Sequence, residues 1–568
     1  MKRKSFLVLL TLILAVGALL AGCGSSSKNE NNGKGAQENT STTPAPADKQ
    51  ILRINLASEP PTFDPAQAQD TQANTVLKTM YEGLVRMGPD GKEIPGVAES
   101  WKISDDGKTY TFKLRDTAKW SNGDPVKASD FVFAWQRVLD PSTAPAPPYA
   151  YQLYYIKNAE GYNLSTSKSF KGTKIPDFKD VGVKAVDDHT LQVELEHATP
   201  YFLGLTAFYT YYPVHPSVKG NDKWATKKES MITNGPFTLS TWETGQKIEV
   251  SKNENYWGKD EIKLKTITMS LVNSGATELA SYRSGQLDYA GKPNGEIPAD
   301  QMMAVKNEMP NEFQAKGIAS TYYYLFNVTE KPFNNLKIRK AFAMSIQRQP
   351  IVERVTMGGE IPAYGFVPPG IKGLSQEYRN EHKDDYFKED VAEAKKLLQE
   401  GMKEEGVTSL PPITLLYNST EGHQKIALAV ADMWKKNLGV DIKTQNQEWG
   451  VFIQTRNKLN FQIARGGWSA DFNDPMTFLD IWTTGNGNNN SGYANPEYDG
   501  LIKAARTETD PGKRMEIFAK AEKLLVQDDM ILLPIYYYSN TSLTKPNVKG
   551  IALDFSGAID FTRAYITQ

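Results

Sequence analysis

ITLLYN (413–418), HQKIALAVADMWKKNLG (423–439), VDIKTQNQEW (440–449), FQIARGGW (461–468) and PMTFLDIW (475–482) follow one another along the chain and decide its fold. The apolar run of ITLLYN predicts a strand. The segment from His423 has helical spacing and ends in Gly439, a candidate C-cap. VDIKTQNQEW then returns to strand character, a helix runs through Phe452 and Arg456, and FQIARGGW is again strand-like. This strand-then-helix order favours an α/β architecture in which sheets are covered by helices.

The same alternation extends outward in both directions. Leu52, Ile54 and Leu56 alternate with polar residues, as do Tyr110, Phe112 and Leu114, and Leu191, Val193 and Leu195, so each set predicts a half-buried strand. DFVFAWQRVL (130–139) and VAEAKKLL (391–398) carry helical periodicity. At 568 residues the chain exceeds the size at which a single core keeps growing, so two or three units are expected.

The N-terminus predicts export. Lys2, Arg3 and Lys4 precede the apolar run Phe6 to Leu20, too short for a bilayer-spanning helix of about 20 residues and typical of a signal peptide. The run ends in Leu20-Ala21-Gly22-Cys23, which resembles the lipobox of bacterial lipoproteins, and Cys23 is the only cysteine. A lipidated Cys23 explains both its position and the lack of any other thiol. Each buried methylene contributes about 0.8 kcal/mol, so two or three acyl chains would anchor the protein to the outer face of the cytoplasmic membrane. Residues 24–50 contain no large apolar side chain and predict a flexible tether.

Charge and motif content exclude several function classes. Lys plus Arg at 65 nearly cancels Asp plus Glu at 66, and no basic block follows the first four residues, which argues against nucleic acid as a partner. The five histidines show no H-x-H or H-x-x-x-H spacing, so neither a metal site nor any other cofactor is expected. There is no G-x-S-x-G, S-x-x-K or P-loop, and GNGNNNSG from Gly485 lacks both a preceding strand and a following lysine. The chain therefore reads as a binder rather than an enzyme, with a surface-anchored hydrolase as the remote alternative because carboxylates are plentiful.

From residue 51 to the C-terminus a series of segments carries a resemblance. SEPPTFDPAQAQD (58–70), MYEGL (80–84), the long run from Pro95 to Pro141, TNGPFTL (233–239), NENYW (253–257), YRSGQLD (282–288), PFNNLKIRKAFAMSI (332–346), QEWGVF (447–452) and GGWSADFNDP (466–475) occur in this order. In that order they are similar to the large three-domain class of extracellular solute-binding proteins, the oligopeptide-binding lipoproteins of ABC importers. The resemblance implies two lobes that close about a hinge, as in periplasmic binding proteins, with an additional third domain. The implied boundaries are a signal peptide at 1–22, lipidated Cys23 and tether at 23–50, one lobe from 51–81 plus 211–314 plus 531–568, the extra domain at 82–210, and the other lobe at 315–530.

A generic peptide offers an ammonium, a carboxylate and a main chain of alternating donors and acceptors, which a receptor for many sequences should grip while leaving side chains loosely held. By the resemblance, Asp471 pairs with the ammonium, Trp468 and Ser469 run beside the ligand backbone, and Trp449 and Tyr149 wall the side-chain pockets. Gln69, Asp70 and Thr71 fall where a first-lobe backbone strand meets the peptide, although well-studied relatives have glutamate at the position of Gln69. Arg456, Arg465 and His423 are the basic candidates for the C-terminal carboxylate. The implied partners are short peptides and the membrane subunits of an ABC permease, with the receptor itself a monomer. Receptors of the same fold for dipeptides, nickel, haem or sugars are the alternatives, because fold alone does not name the ligand.

Overall fold

The computed structural model describes residues 43–568 except 89–91, 169, 171 and 222. The signal peptide, Cys23 and the tether as far as residue 42 therefore lie outside the described residues.

Three main sheets organise the chain. A four-stranded sheet has the order Ile51–Asn55, Thr266–Ser270, Lys247–Lys252, Phe237–Glu243, with the first pair parallel and the rest antiparallel. A second four-stranded sheet is antiparallel throughout, in the order Ala98–Ile103, Thr109–Leu114, Thr190–Glu194, Val183–Asp187. Tyr110, Phe112, Leu114, Leu191 and Val193 point into its core, as their period of two requires.

The third sheet runs Tyr289–Gly291, Leu532–Thr544, Phe313–Phe326, Ile463–Ser469, Ile413–Asn418, Ile442–Gln447, with the short strand Ile361–Pro362 also pairing with Leu532–Thr544. Ile413–Asn418 is parallel to both of its neighbours. Parallel neighbours need crossover connections, and the helix Glu421–Leu438 supplies one of them. It begins where Thr420 accepts from the His423 N–H at 3.1 Å and ends at Gly439, whose φ of 74° only glycine adopts readily. Trp434 is buried on its inner face and donates from Nε1 to the Phe342 carbonyl at 2.9 Å. The helix Trp449–Asn457 makes the next crossing.

Two long antiparallel strands, Phe313–Phe326 and Leu532–Thr544, join the halves of the molecule. Phe313–Gly317 pairs with Ser539–Leu543 beside Tyr289–Gly291, whereas Thr321–Leu325 pairs with Leu532–Tyr537 beside Ile463–Ser469. Their register shifts between Gly317 and Thr321. The strand Leu532–Thr544 therefore stays in one continuous sheet on both sides of this shift.

Residues 43–50, the described part of the expected tether, carry defined contacts. Gln50 is buried, and its Nε2 donates to the carbonyls of Ala45 at 2.8 Å and Ile566 at 2.9 Å while its Oε1 accepts from the Ile566 N–H at 2.9 Å. Pro44 bridges to Thr567, and Ala47–Lys49 forms a short 3-10 turn. Hydrogen bonding to the C-terminal strand thus holds a segment whose composition alone reads as unstructured.

Candidate ligand-binding cleft

A cavity of about 330 Å³ opens between these sheets, and all eleven residues singled out from the sequence line it: Gln69, Asp70, Thr71, Tyr149, His423, Trp449, Arg456, Arg465, Trp468, Ser469 and Asp471. They converge from five places, one of them the start of the helix Thr71–Met80, which brings Gln69, Asp70 and Thr71. The strand Ile463–Ser469 carries Arg465, Trp468 and Ser469 and leads directly to Asp471. The helix Trp449–Asn457 presents Trp449 and Arg456, which are two turns apart and so share a face. His423 stands in the first turn of Glu421–Leu438, and Tyr149 precedes the 3-10 helix Ala150–Tyr155.

Asp471 sits against the cavity with one side-chain partner, the Gln152 Nε2–H, which donates to Oδ2 at 2.8 Å. Burial and the neighbouring Asp480 charge push the Asp471 carboxyl well above the usual carboxylate range. Among the described residues no cation pairs with it. The turn that follows is capped by Asp474 instead, which accepts from the Met476 N–H at 3.0 Å and holds Arg514 through two hydrogen bonds of 2.6 and 2.9 Å. Asp471 is thus left over for something else.

Asp480 lies behind Asp471 at 1% exposure, with neither carboxylate oxygen hydrogen-bonded and the nearest Arg506 nitrogen 4.0 Å away. Burial raises it to about 7.

Trp468 fixes its ring by donating from Nε1 to the Thr477 carbonyl at 2.8 Å, and its centroid lies 6.1 Å from that of Tyr149. These two rings come from distant parts of the chain and form one wall. Gly466, in the same strand, is glycine because a Cβ there would meet the Tyr323 ring at 2.2 Å.

The basic candidates differ from one another. Arg465 lies 5.0 Å from the Tyr322 ring centroid and donates to the Tyr538 hydroxyl at 2.5 Å, whereas Arg456 rests 5.6 Å from the Phe452 centroid. The Nε of each lacks a partner, and among the described residues no carboxylate forms a salt bridge with either. Burial, reinforced by Arg465, lowers the Arg456 pKa. His423 is buried, and burial with the charges of Arg465 and Lys292 holds its imidazole well below its ordinary value. His423 is thus a buried imidazole of the lining, beside the positive charges of Arg465 and Lys292.

Gln69 and Asp70 lead into the helix Thr71–Met80, with the Asp70 backbone extended at φ −142° and ψ 160°. Asp70 is the N-cap of the helix Thr71–Met80, accepting from the Ala73 N–H at 2.8 Å. Its Oδ2 is buried without a partner, and the Trp449 indole N–H faces it but stops short of hydrogen-bond geometry. Burial raises the Asp70 carboxyl to about 6.

Sequence reasoning missed Gln152, Lys292 and Glu296. Gln152 is the one polar residue in the aromatic run YAYQLYY (149–155), a signal that was available. Among the described residues no group of three or more His, Cys, Asp or Glu converges as a metal site.

The model of the bacterial extracellular solute-binding proteins, family 5 middle, matches residues 92–490. The oligopeptide-binding protein OppA of Bacillus subtilis is 42% identical over 572 residues, covering 100% of both chains. The crystal structure of Haemophilus influenzae OppA in complex with RPPGFSPFR superposes with a TM-score of 0.83 at 35% identity, covering 92% of this chain and 99% of that one. An unliganded open form of the murein tripeptide-binding protein MppA, also 35% identical and covering 93% and 99%, reaches only 0.60. The halves of the present chain are therefore arranged as in the peptide complex rather than as in the open form. The chain belongs to the bacterial extracellular solute-binding proteins of family 5.

Proposed function

We propose that the cleft binds short oligopeptides by their main chain and termini and that the protein delivers them to an ABC permease. The observation that carries this reading is the buried Asp471 carboxylate, which borders a cavity and has a hydrogen bond from Gln152 but no cation. An isolated carboxylate is unfavourable in a low-dielectric site unless a positive group joins it, and a peptide's N-terminal ammonium supplies that charge. Arg456 and Arg465, which also lack acidic partners, offer complementary charge to a carboxylate. Sugars carry neither charge, and a bare nickel ion offers no carboxylate to Arg456 and Arg465. The names of the related OppA proteins support the same assignment.

In this reading one lobe comprises residues 51–81, 211–314 and 531–568, the extra domain is 82–210, and the second lobe is 315–530. Lobe closure sequesters the ligand. Cys23 carries the lipid anchor, which holds a monomeric receptor at the outer face of the cytoplasmic membrane beside its permease. No chemistry is performed on the ligand, so a defined pentapeptide incubated with the protein should be recovered intact.

Native mass spectrometry of protein purified without denaturation should reveal adducts of small peptides. Isothermal titration with a tripeptide and its N-acetylated form tests the charge pairing. Equal affinity for the two would remove Asp471 from its assigned role.

A further inference from the structure

The cleft ends at the first turn of the helix Glu421–Leu438, where a side chain of the protein itself closes it. Glu296 Oε1 accepts from the Gly422 N–H at 3.1 Å, so an internal carboxylate occupies the N-terminus of an 18-residue helix, where free N–H groups and the helix dipole favour an anion. Glu296 is braced there from behind. Its own N–H donates to Glu278 Oε2 at 3.1 Å, and the buried Glu278 also accepts from the Gly291 N–H at 2.7 Å. Gly422 makes room for this seat, since a Cβ would lie 2.6 Å from Glu296 Oε2. A neighbouring contact, Ser274 Oγ to Glu421 Oε1 at 3.0 Å, spans the same junction.

Beyond this seat is a second cavity of about 60 Å³, and Glu296, Lys292 and His423 line both. The His423 side chain is 8% exposed, and its imidazole has no hydrogen-bond partner among the described residues. A cationic lysine, an uncommitted imidazole and a helix N-terminus therefore surround one carboxylate that belongs to the protein.

We propose that Glu296 is a movable partition that sets the length of peptide the cleft accepts. Seated on Gly422, it stands with Lys292 and His423 in the wall between the cleft and the smaller cavity. When a longer peptide arrives, its C-terminal carboxylate replaces that of Glu296 on the helix N-terminus, beside Lys292 and His423, and the smaller cavity takes the last residue. One carboxylate is exchanged for another, so the helix end is never left without an anion. The inference rests on the peptide reading given above and makes Glu296 a specificity-determining residue for it.

The test is isothermal titration of the wild-type protein, Glu296→Gln and Gly422→Ala with alanine peptides of increasing length and free termini. Wild-type affinity should drop at the length whose C-terminus reaches Glu296. Glu296→Gln removes the competing charge and Gly422→Ala displaces the side chain, so both should bind the longer peptides about tenfold more tightly. The shorter peptides should be unaffected, and C-terminal amidation of the longer ones should abolish the gain. If Gly422→Ala does not fold, Glu296→Gln decides alone. An equal change at every length, or none, overturns the partition, whereas wild-type protein that binds none of the free-terminus peptides overturns the peptide reading itself.

Discussion

Gln152 donates to the Asp471 carboxylate at 2.8 Å across 319 positions of sequence. The contact joins the 3-10 helix Ala150–Tyr155 to the end of the strand Ile463–Ser469, so the packing of two separate regions orients the carboxylate. It occupies Oδ2 and leaves Oδ1 without a hydrogen bond. A neutral amide can hold the group in place without cancelling its charge, which preserves the attraction for a cation.

Asp471→Asn should keep the Gln152 contact and lose the charge. Binding of a free-amino tripeptide is expected to weaken by about 2–5 kcal/mol, while an N-acetylated tripeptide should bind the variant and the wild type alike. Titration calorimetry on the four combinations isolates the charge term.

Arg465→Ala and Arg456→Ala should separate the two cationic candidates. Whichever guanidinium meets the ligand's carboxylate, its removal should weaken free-acid peptides by about 2 kcal/mol or more and leave C-terminal amides nearly unchanged. Losses of equal size for acid and amide would assign the residue to packing alone.

Asp480 predicts a pH dependence of stability. Its folded pKa of about 7 lies above the ordinary 3.8, so the folded chain holds this proton more tightly than the unfolded one. The stabilising effect is full below about pH 4 and is lost as pH rises through about 7. Between pH 5 and 7.5, wild-type stability should therefore fall relative to Asp480→Asn, read as the difference in Tm between the two proteins. A difference that does not vary with pH would contradict the assignment.

Glu522 is fully buried and accepts from the N–H groups of Phe366 and Val367 at 2.7 and 2.8 Å, from the hydroxyls of Tyr378 and Tyr386 at 3.2 and 2.9 Å, and from Arg379 at 2.5 Å. Glu522→Gln leaves Arg379 buried without its counter-ion. A loss of about 3–5 kcal/mol in denaturant unfolding is expected, with peptide affinity of the still-folded protein retained because neither residue lines the cleft.

Local chemistry explains what the sequence made legible. Alternation in TYTFKL (109–114) and helical spacing with a terminal glycine in 423–439 are signals that tertiary contacts reinforce, and these elements form where expected. Asp70 lines the cavity, and its N-cap role, which depends on the Ala73 N–H, looks locally like any polar turn. Residues 43–50 have no large apolar side chain to announce order, and Gln50 is held by a partner 516 positions away. The sequence names His423 as a candidate but not its burial or its neighbours Arg465 and Lys292, which are products of the fold. Position along a motif can indicate which residues gather, whereas their charge and hydrogen bonding follow from what is gathered around them.

The ribbon formed by Phe313–Phe326 and Leu532–Thr544 restricts how the molecule can move. A single linker would let one half swivel freely, but two hydrogen-bonded strands act as a flat strap, pliable across its width and stiff to sliding along its length. The register shift near Gly317 marks where such a strap bends most readily. For lobes that close as proposed, such a strap would confine the motion to nearly one path and bring Gln152 and Asp471 to the same point at each closure.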